Sequence, residues 1–329
     1  MSAESRSVDA GLKPQEAGAL TQFALAGGLG VAPRLGASSQ AFSTQLPDVL
    51  CGRYRLEEII GAGGMGVIYR ARDLLHEQFG EPDSFIAIKL LNDDFVEVPD
   101  AGVLLYREFA LTRHLCHPYV IRMRAFEVDL SCRRAFITQD LLRGTGLDKF
   151  LCEEPSGLNA AEIKAVAVPL LDALAHSHES GVLHGDLKPA NMMLTDNGPR
   201  LIDFGLGGTF DGVLSGLPCL GRERFDAWTP SYAAPELLSH GVISTGTDVY
   251  AMACVLYELA SGKHPYGQKT SLQARDEQLW RSLSAPPNLP VRFWPALRHA
   301  LALDSNKRTI SALELRDAFC TRPIGHMQF

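Results

Sequence analysis

The feature that most limits the fold is a change of hydrophobic period near residue 142. Before it, the apolar runs are short and strand-like: Tyr54–Ile60, Val67–Arg72, Phe85–Leu91, Val120–Val128 and Ala135–Leu142. Leu104–Leu115 alone in that half has helical spacing. After residue 142 helical spacing takes over. Asn159 and Glu162 form a capping-box pattern ahead of Ile163, Val166, Leu170, Leu171 and Leu174. Pro169 inside that run predicts a kink, and Gly181 fits its C-terminal cap. Asp248–Ser261 is apolar nearly all round, which predicts a buried helix. The chain therefore reads as α+β: a β-rich lobe with one main helix, then a larger helical lobe. A linker near Leu141–Gly146 joins them, and the cleft between two such lobes is the natural ligand site.

Composition excludes other classes. Hydrophobic residues make up 46% and charged residues 21%, a globular balance. The net charge is −7 with no basic block in any segment, which argues against nucleic acid and against an anionic membrane surface. Seven cysteines, at 51, 116, 132, 152, 219, 254 and 320, show no C-x-x-C spacing. They predict neither a disulfide framework nor a zinc site. Ala17–Pro33 leans apolar but holds four glycines, Thr21 and Gln22, so neither a spanning helix nor a signal peptide is predicted. Residues 1–50, rich in Ala, Gly, Ser and Gln, predict a flexible extension.

Four short motifs carry chemistry. Gly61-Ala62-Gly63-Gly64-Met65-Gly66 lies between two strands, where a glycine loop folds its backbone over phosphates without side-chain obstruction. A dinucleotide fingerprint would instead open a helix. Lys89 sits in the apolar strand Ile86-Ala87-Ile88-Lys89, so its ammonium needs a partner, and Glu108 in the next helix could supply it. His184-Gly185-Asp186 is followed by Lys188 and Asn191, and Asp203-Phe204-Gly205 comes next. These carboxylates and the amide are hard oxygen ligands suited to magnesium.

Taken in order, these motifs resemble the eukaryotic-like (Hanks-type) protein kinases, bacterial serine/threonine kinases above all. Ala234-Pro235-Glu236, Asp248-Val249-Tyr250 and the late Arg308 extend the resemblance over roughly residues 52–320. It implies the bilobed kinase fold, with an N-lobe of about 51–140, a C-lobe of about 143–321 and a tail at 322–329. It also implies transfer of the ATP γ-phosphoryl group to Ser/Thr hydroxyls of proteins, with autophosphorylation. The glycine loop, Gly61 to Gly66, would cover the phosphates. Lys89, held by Glu108, would contact them. Asp203 and Asn191 would hold Mg2+, with Mn2+ as the alternative. Asp186 would orient the substrate hydroxyl and Lys188 would stabilise the γ-phosphate. Thr229 would mark Ser/Thr specificity by reaching Asp186 and Lys188. Adenine would lie between Ile68 and Ala87 above and Met193 below, against a hinge at Asp140-Leu141-Leu142, with Gln139 as gatekeeper. A cytoplasmic enzyme, opposed by a cognate protein phosphatase, completes the expectation.

Three departures stand out. Gly185 replaces the arginine that would bind an activation-loop phosphate, so dependence on such a phosphate is not expected. Thr112 takes a spine position that is usually apolar. The linker LLHEQFGEPDSF is longer than usual and reads as a surface loop. A nucleotide-binding pseudokinase or scaffold is the alternative, and a small-molecule phosphotransferase is a third. The presence of Lys89, Asp186, Asn191 and Asp203 counts against the pseudokinase.

Overall fold

The computed structural model describes residues 46–63, 66–92, 101–210, 229–267 and 269–320. Its first half is one antiparallel sheet in the order β1-β2-β3-β4-β6-β5. The strands are β1 (Val49–Leu50), β2 (Tyr54–Ala62), β3 (Gly66–Asp73), β4 (Phe85–Leu91), β5 (Met123–Asp129) and β6 (Arg134–Gln139). In β4 the period-two pleat sends Ile86, Ile88 and Leu90 into one core with Leu50, Tyr54 and Phe136. The opposite face therefore carries Ala87 and Lys89. Leu50, counted in the extension by sequence, is fully buried there, and β1 pairs with β2.

The inserted segment after β3 departs from the expected surface loop. It opens with a short helix, α1 (Leu74–Gln78), because the Asp73 carboxylate accepts from the backbone N–H groups of Leu75 at 3.1 Å and His76 at 3.4 Å. The main helix of this lobe, α2 (Ala101–His114), starts a turn earlier than Leu104. It packs Leu105 and Phe109 on Ile121, Met123 and Ile137. Thr112 is fully buried on α2, and its hydroxyl donates to the Glu108 carbonyl at 2.9 Å. That local bond satisfies the polar atom, so its methyl face enters the core without an orphan hydroxyl.

The second half begins with β7 (Gly144–Gly146) and α3 (Leu147–Glu153). Helix α4 (Ala160–Glu179) has the full capping box on Asn159 and Glu162 and runs continuously through Pro169. Gly181 follows in the left-handed region at φ 74°, donating to the His178 carbonyl. The hairpin-like strands β8 (Val182–Leu183), β9 (Met192–Thr195), β10 (Gly198–Leu201) and β11 (Gly208–Thr209) come next. Then follow α5 (Pro235–Leu238), α6 (Thr245–Ser261), α7 (Ser271–Asp276), α8 (Trp294–Ala300) and α9 (Ala312–Cys320). Twelve residues of α6 are buried, as its all-round apolar sequence predicts, and α4, α8 and α9 surround the same core. Gly262 ends α6 at φ 69°, and a Cβ there would lie 2.0 Å from the Pro155 carbonyl oxygen. No described helix is long and apolar enough to cross a membrane.

Candidate active site

The site is built where the sheet face carrying Lys89 meets the loops between β8 and β9 and after β10. Lys89 Nζ donates to both carboxylate oxygens of Glu108 at 2.7 Å, and to Asp203 Oδ1 at 3.0 Å. Burial disfavours the ammonium, but Asp203 and Glu108 outweigh it and raise its pKa. Burial pushes Glu108 up to about 7 against the pull of Lys89. Asp203 goes the other way: burial opposes ionisation, yet Lys89 holds its pKa below the ordinary value. One lysine thus joins β4, α2 and the segment after β10.

Asp203 is not glycine, yet its φ is 61°. Its Oδ1 accepts the Gly205 N–H at 3.3 Å, a local bond that helps hold this costly conformation. The Phe204 ring is fully buried beside the His184 ring, with centroids 4.5 Å apart. His184 Nε2 lies 3.1 Å from the Ile202 carbonyl oxygen.

Asp186, Lys188, Asn191 and Thr229 converge. Lys188 Nζ donates to Asp186 Oδ2 at 2.6 Å and to Thr229 Oγ1 at 2.9 Å. Asn191 Nδ2 donates to the Asp186 carbonyl at 2.8 Å and to Asp186 Oδ2 at 3.2 Å. Burial raises the Asp186 pKa, and Lys188 counteracts only part of that. Asp186 Oδ1 takes no hydrogen bond from the described residues.

Asp248 was read from sequence only as the opening of a buried helix, and it does more. Its Oδ2 accepts the His184 N–H and its Oδ1 the Gly185 N–H, both at 2.9 Å, while His178 Nε2 lies 3.0 Å from Oδ2. Burial opposes its charge, but these partners hold its pKa low. An aspartate in an otherwise apolar helix was the available signal, because a buried carboxylate needs donors. Gly185 sits at φ 79°, a conformation that favours glycine. Glu236 and Arg308 also meet, at 2.6 Å, with the Arg308 side chain fully buried.

The residues assigned to the nucleotide from the sequence lie on or beside β2, β3, β4, β6 and β9. Gly61 pairs with Ile68 and Ala62 with Val67, while Gly63 donates to the Gly66 carbonyl at 2.9 Å. A Cβ at Gly66 would lie 2.5 Å from the Leu90 carbonyl oxygen, whereas one at Gly63 would meet nothing within 4 Å. Gly66 is therefore glycine for packing, and Gly63 leaves open space. Gly64 and Met65 lie outside the described residues. Ala87 is buried and pairs with Gln139, which is itself buried. Ile68, Met193 and Leu142 are half-buried. The Asp140 side chain is turned to Arg124, whose Nε donates to it at 2.8 Å.

For a magnesium ion, the donor set fits. The Asn191 amide oxygen and Asp203 Oδ2 take no hydrogen bond from the described residues, and the Asp203 side chain is 45% exposed. Two hard oxygens plus phosphate oxygens make the usual environment for this cation.

A two-lobed fold with this constellation defines the protein kinase class. The protein kinase domain profile matches residues 54–314, and the chain belongs to that family. It is 31% identical over 265 residues to the serine/threonine-protein kinase PkaA of Streptomyces coelicolor, covering 78% of this chain and 47% of that protein. It is 30% identical over 271 residues to PknH of Mycobacterium tuberculosis, covering 80% and 41%. The chain thus spans less than half the length of these relatives. A crystal structure of the Mycobacterium tuberculosis PknI kinase domain, in a single-site mutant form, matches with a TM-score of 0.60 and 25% identity. That match covers 85% of this chain and 98% of the PknI chain.

Proposed function

We propose that this chain is an ATP-dependent protein serine/threonine kinase. The observation that carries the reading is the bridge from Lys188 to both Asp186 and Thr229, opposite the Lys89–Glu108–Asp203 cluster. Phosphoryl transfer needs positioning and charge stabilisation more than covalent chemistry. Asp186 Oδ1, which takes no hydrogen bond from the described residues, would accept the hydroxyl proton. Its desolvated carboxyl, with pKa raised, is a better base than an exposed one. Lys188 Nζ would meet the negative charge gathering on the transferred group, with Thr229 fixing its direction. Lys89, locked by two carboxylates, would hold the phosphates of the nucleotide. Asn191 and Asp203 would hold Mg2+ or Mn2+, which supplies charge neutralisation on the phosphates. Ile68, Ala87 and Met193 would enclose the adenine, with Gln139 behind it and hinge backbone from Asp140 to Leu142 at its edge.

Incubation with labelled ATP, magnesium and a generic protein substrate tests this, with Asp186→Asn as control. Label on serine or threonine from the wild type, lost in the control, is expected. Equal silence from both would refute it and leave a nucleotide-binding scaffold.

Regulation follows from Gly185, which offers no guanidinium to an activation-loop phosphate. Alanine at Thr209 and at Ser215, singly and together, should leave most activity intact. Thr209 lies in β11, paired with Val182, and Ser215 lies outside the described residues. Loss of most activity in both single variants would overturn this independence. A kinase domain that begins with the strand Val49–Leu50 and runs to about residue 321, behind an N-terminal extension, is part of the proposal. So are a cytoplasmic location, where ATP and Mg2+ are found, and an opposing protein phosphatase.

A further inference from the structure

A second hollow lies on the helical lobe, away from the interlobe cleft. Its volume is about 630 Å3, within the range that takes a drug-sized ligand. Tyr266, Trp280, Leu283, Leu301 and Leu303 form its apolar wall. Trp280 is 44% exposed there, with the Arg281 guanidinium 5.3 Å from its ring centroid, so the indole adds aromatic surface to that wall. None of the lining residues belongs to the catalytic loop or the glycine loop.

The charges around it are not equivalent. Arg275 Nε donates to Asp276 at 3.2 Å, and Lys307 Nζ lies 3.7 Å from Asp304. Glu236, on the same wall, is taken by Arg308. Arg298 lines the hollow from α8 and has no carboxylate or hydrogen-bond partner among the described residues. An apolar cavity with one uncommitted guanidinium matches an apolar body bearing one anionic head. A guanidinium grips a carboxylate or sulfonate through paired, charge-assisted bonds, and the wall shields that contact from water.

We propose that this hollow binds a small anionic amphiphile, its head on Arg298 and its apolar body against Trp280 and Leu283. Because Glu236 forms part of the wall, an occupant would sit against the ion pair that anchors the end of the activation segment.

The test uses the full chain saturated with a non-hydrolysable ATP analogue, so that the interlobe cleft is closed to other ligands. The probe is 8-anilinonaphthalene-1-sulfonate, read by energy transfer from tryptophan, with decanoate as competitor and decanol as its uncharged control. Expected are one saturable site, displacement by decanoate at least tenfold better than by decanol, and reduced transfer in Trp280→Phe. Arg298→Glu should weaken the dye at least tenfold. Arg298 is exposed, so the variant should fold, and an unchanged melting temperature without ligand checks this. Arg292→Glu, an exposed arginine outside the hollow, should change nothing. Affinity unaltered by Arg298→Glu, or equal displacement by decanol, overturns the proposal. So does the absence of any dye binding once the ATP analogue is in place, or displacement only by an acidic peptide and not by decanoate.

Discussion

At the residue scale, Lys89 shows how sequence and site relate. Lysine in an apolar strand demanded a partner, and Glu108 at a separation of 19 residues was legible as that partner. The second partner, Asp203, lies 114 residues on, and no spacing rule connects the two. Asp248 was still less legible, since its three partners come from two other elements. Lys89→Met should lower kcat/KM with ATP by about 10²- to 10³-fold, the usual loss when one stabilising donor is removed. Steady-state kinetics with the folded variant, checked by circular dichroism, measures it. His264 offers a residue-scale pH prediction. Burial lowers its pKa to about 4, against a backbone hydrogen bond at Ser231 that favours the charged form. Tyr232 packs edge-on to its ring and the Tyr266 N–H donates to its Nδ1 at 3.2 Å. The unfolded chain binds a proton near pH 6.5 and the folded one does not until about 4. Stability from this group is therefore present above pH 6.5 and is lost as pH falls toward 4, by roughly 3 kcal/mol in all. Urea unfolding at pH 7 and pH 5 should show a smaller drop in His264→Asn than in the wild type.

At the element scale, capping and packing account for where helices start and stop. Asn159 with Glu162 was readable because a capping box is a local pattern. Helix α1 was missed, since its cap, Asp73, sits at the end of a strand and the helix is only five residues long. The Glu236–Arg308 pair ties α5 to the turn before α9. Glu236→Ala leaves the buried Arg308 guanidinium uncompensated and should cost about 3 kcal/mol. Glu236→Ala with Arg308→Met should recover much of that loss. Chemical denaturation of the three proteins decides it, and additive losses would show that the pair is not coupled.

At the scale of the whole molecule, the two lobes share one buried cluster. Leu111 of α2 belongs to the same buried cluster as Phe204, while its neighbour Thr112 spends its hydroxyl inside α2. Thr112→Leu should therefore disturb packing more than relieve a polar defect, and lower the melting temperature by a few degrees in a thermal scan. A higher melting temperature would show that the hydroxyl was a net cost. The hollow beside Arg298 belongs to this scale too: its walls come from α5, α7, α8 and the turns around them, which no single motif announces.

By itself the sequence determined the main strands of the first half, the capped and the buried long helices of the second, and the motif residues. These depend on periodicity, caps and short spacings, which act over a few residues. Only the tertiary structure decided that Lys89 serves two carboxylates, that Asp248 holds the catalytic loop, and that Arg298 is left without a partner among the described residues. Those outcomes depend on which distant charges burial brings within hydrogen-bond reach, and charge pairing at that range leaves no local trace in a chain.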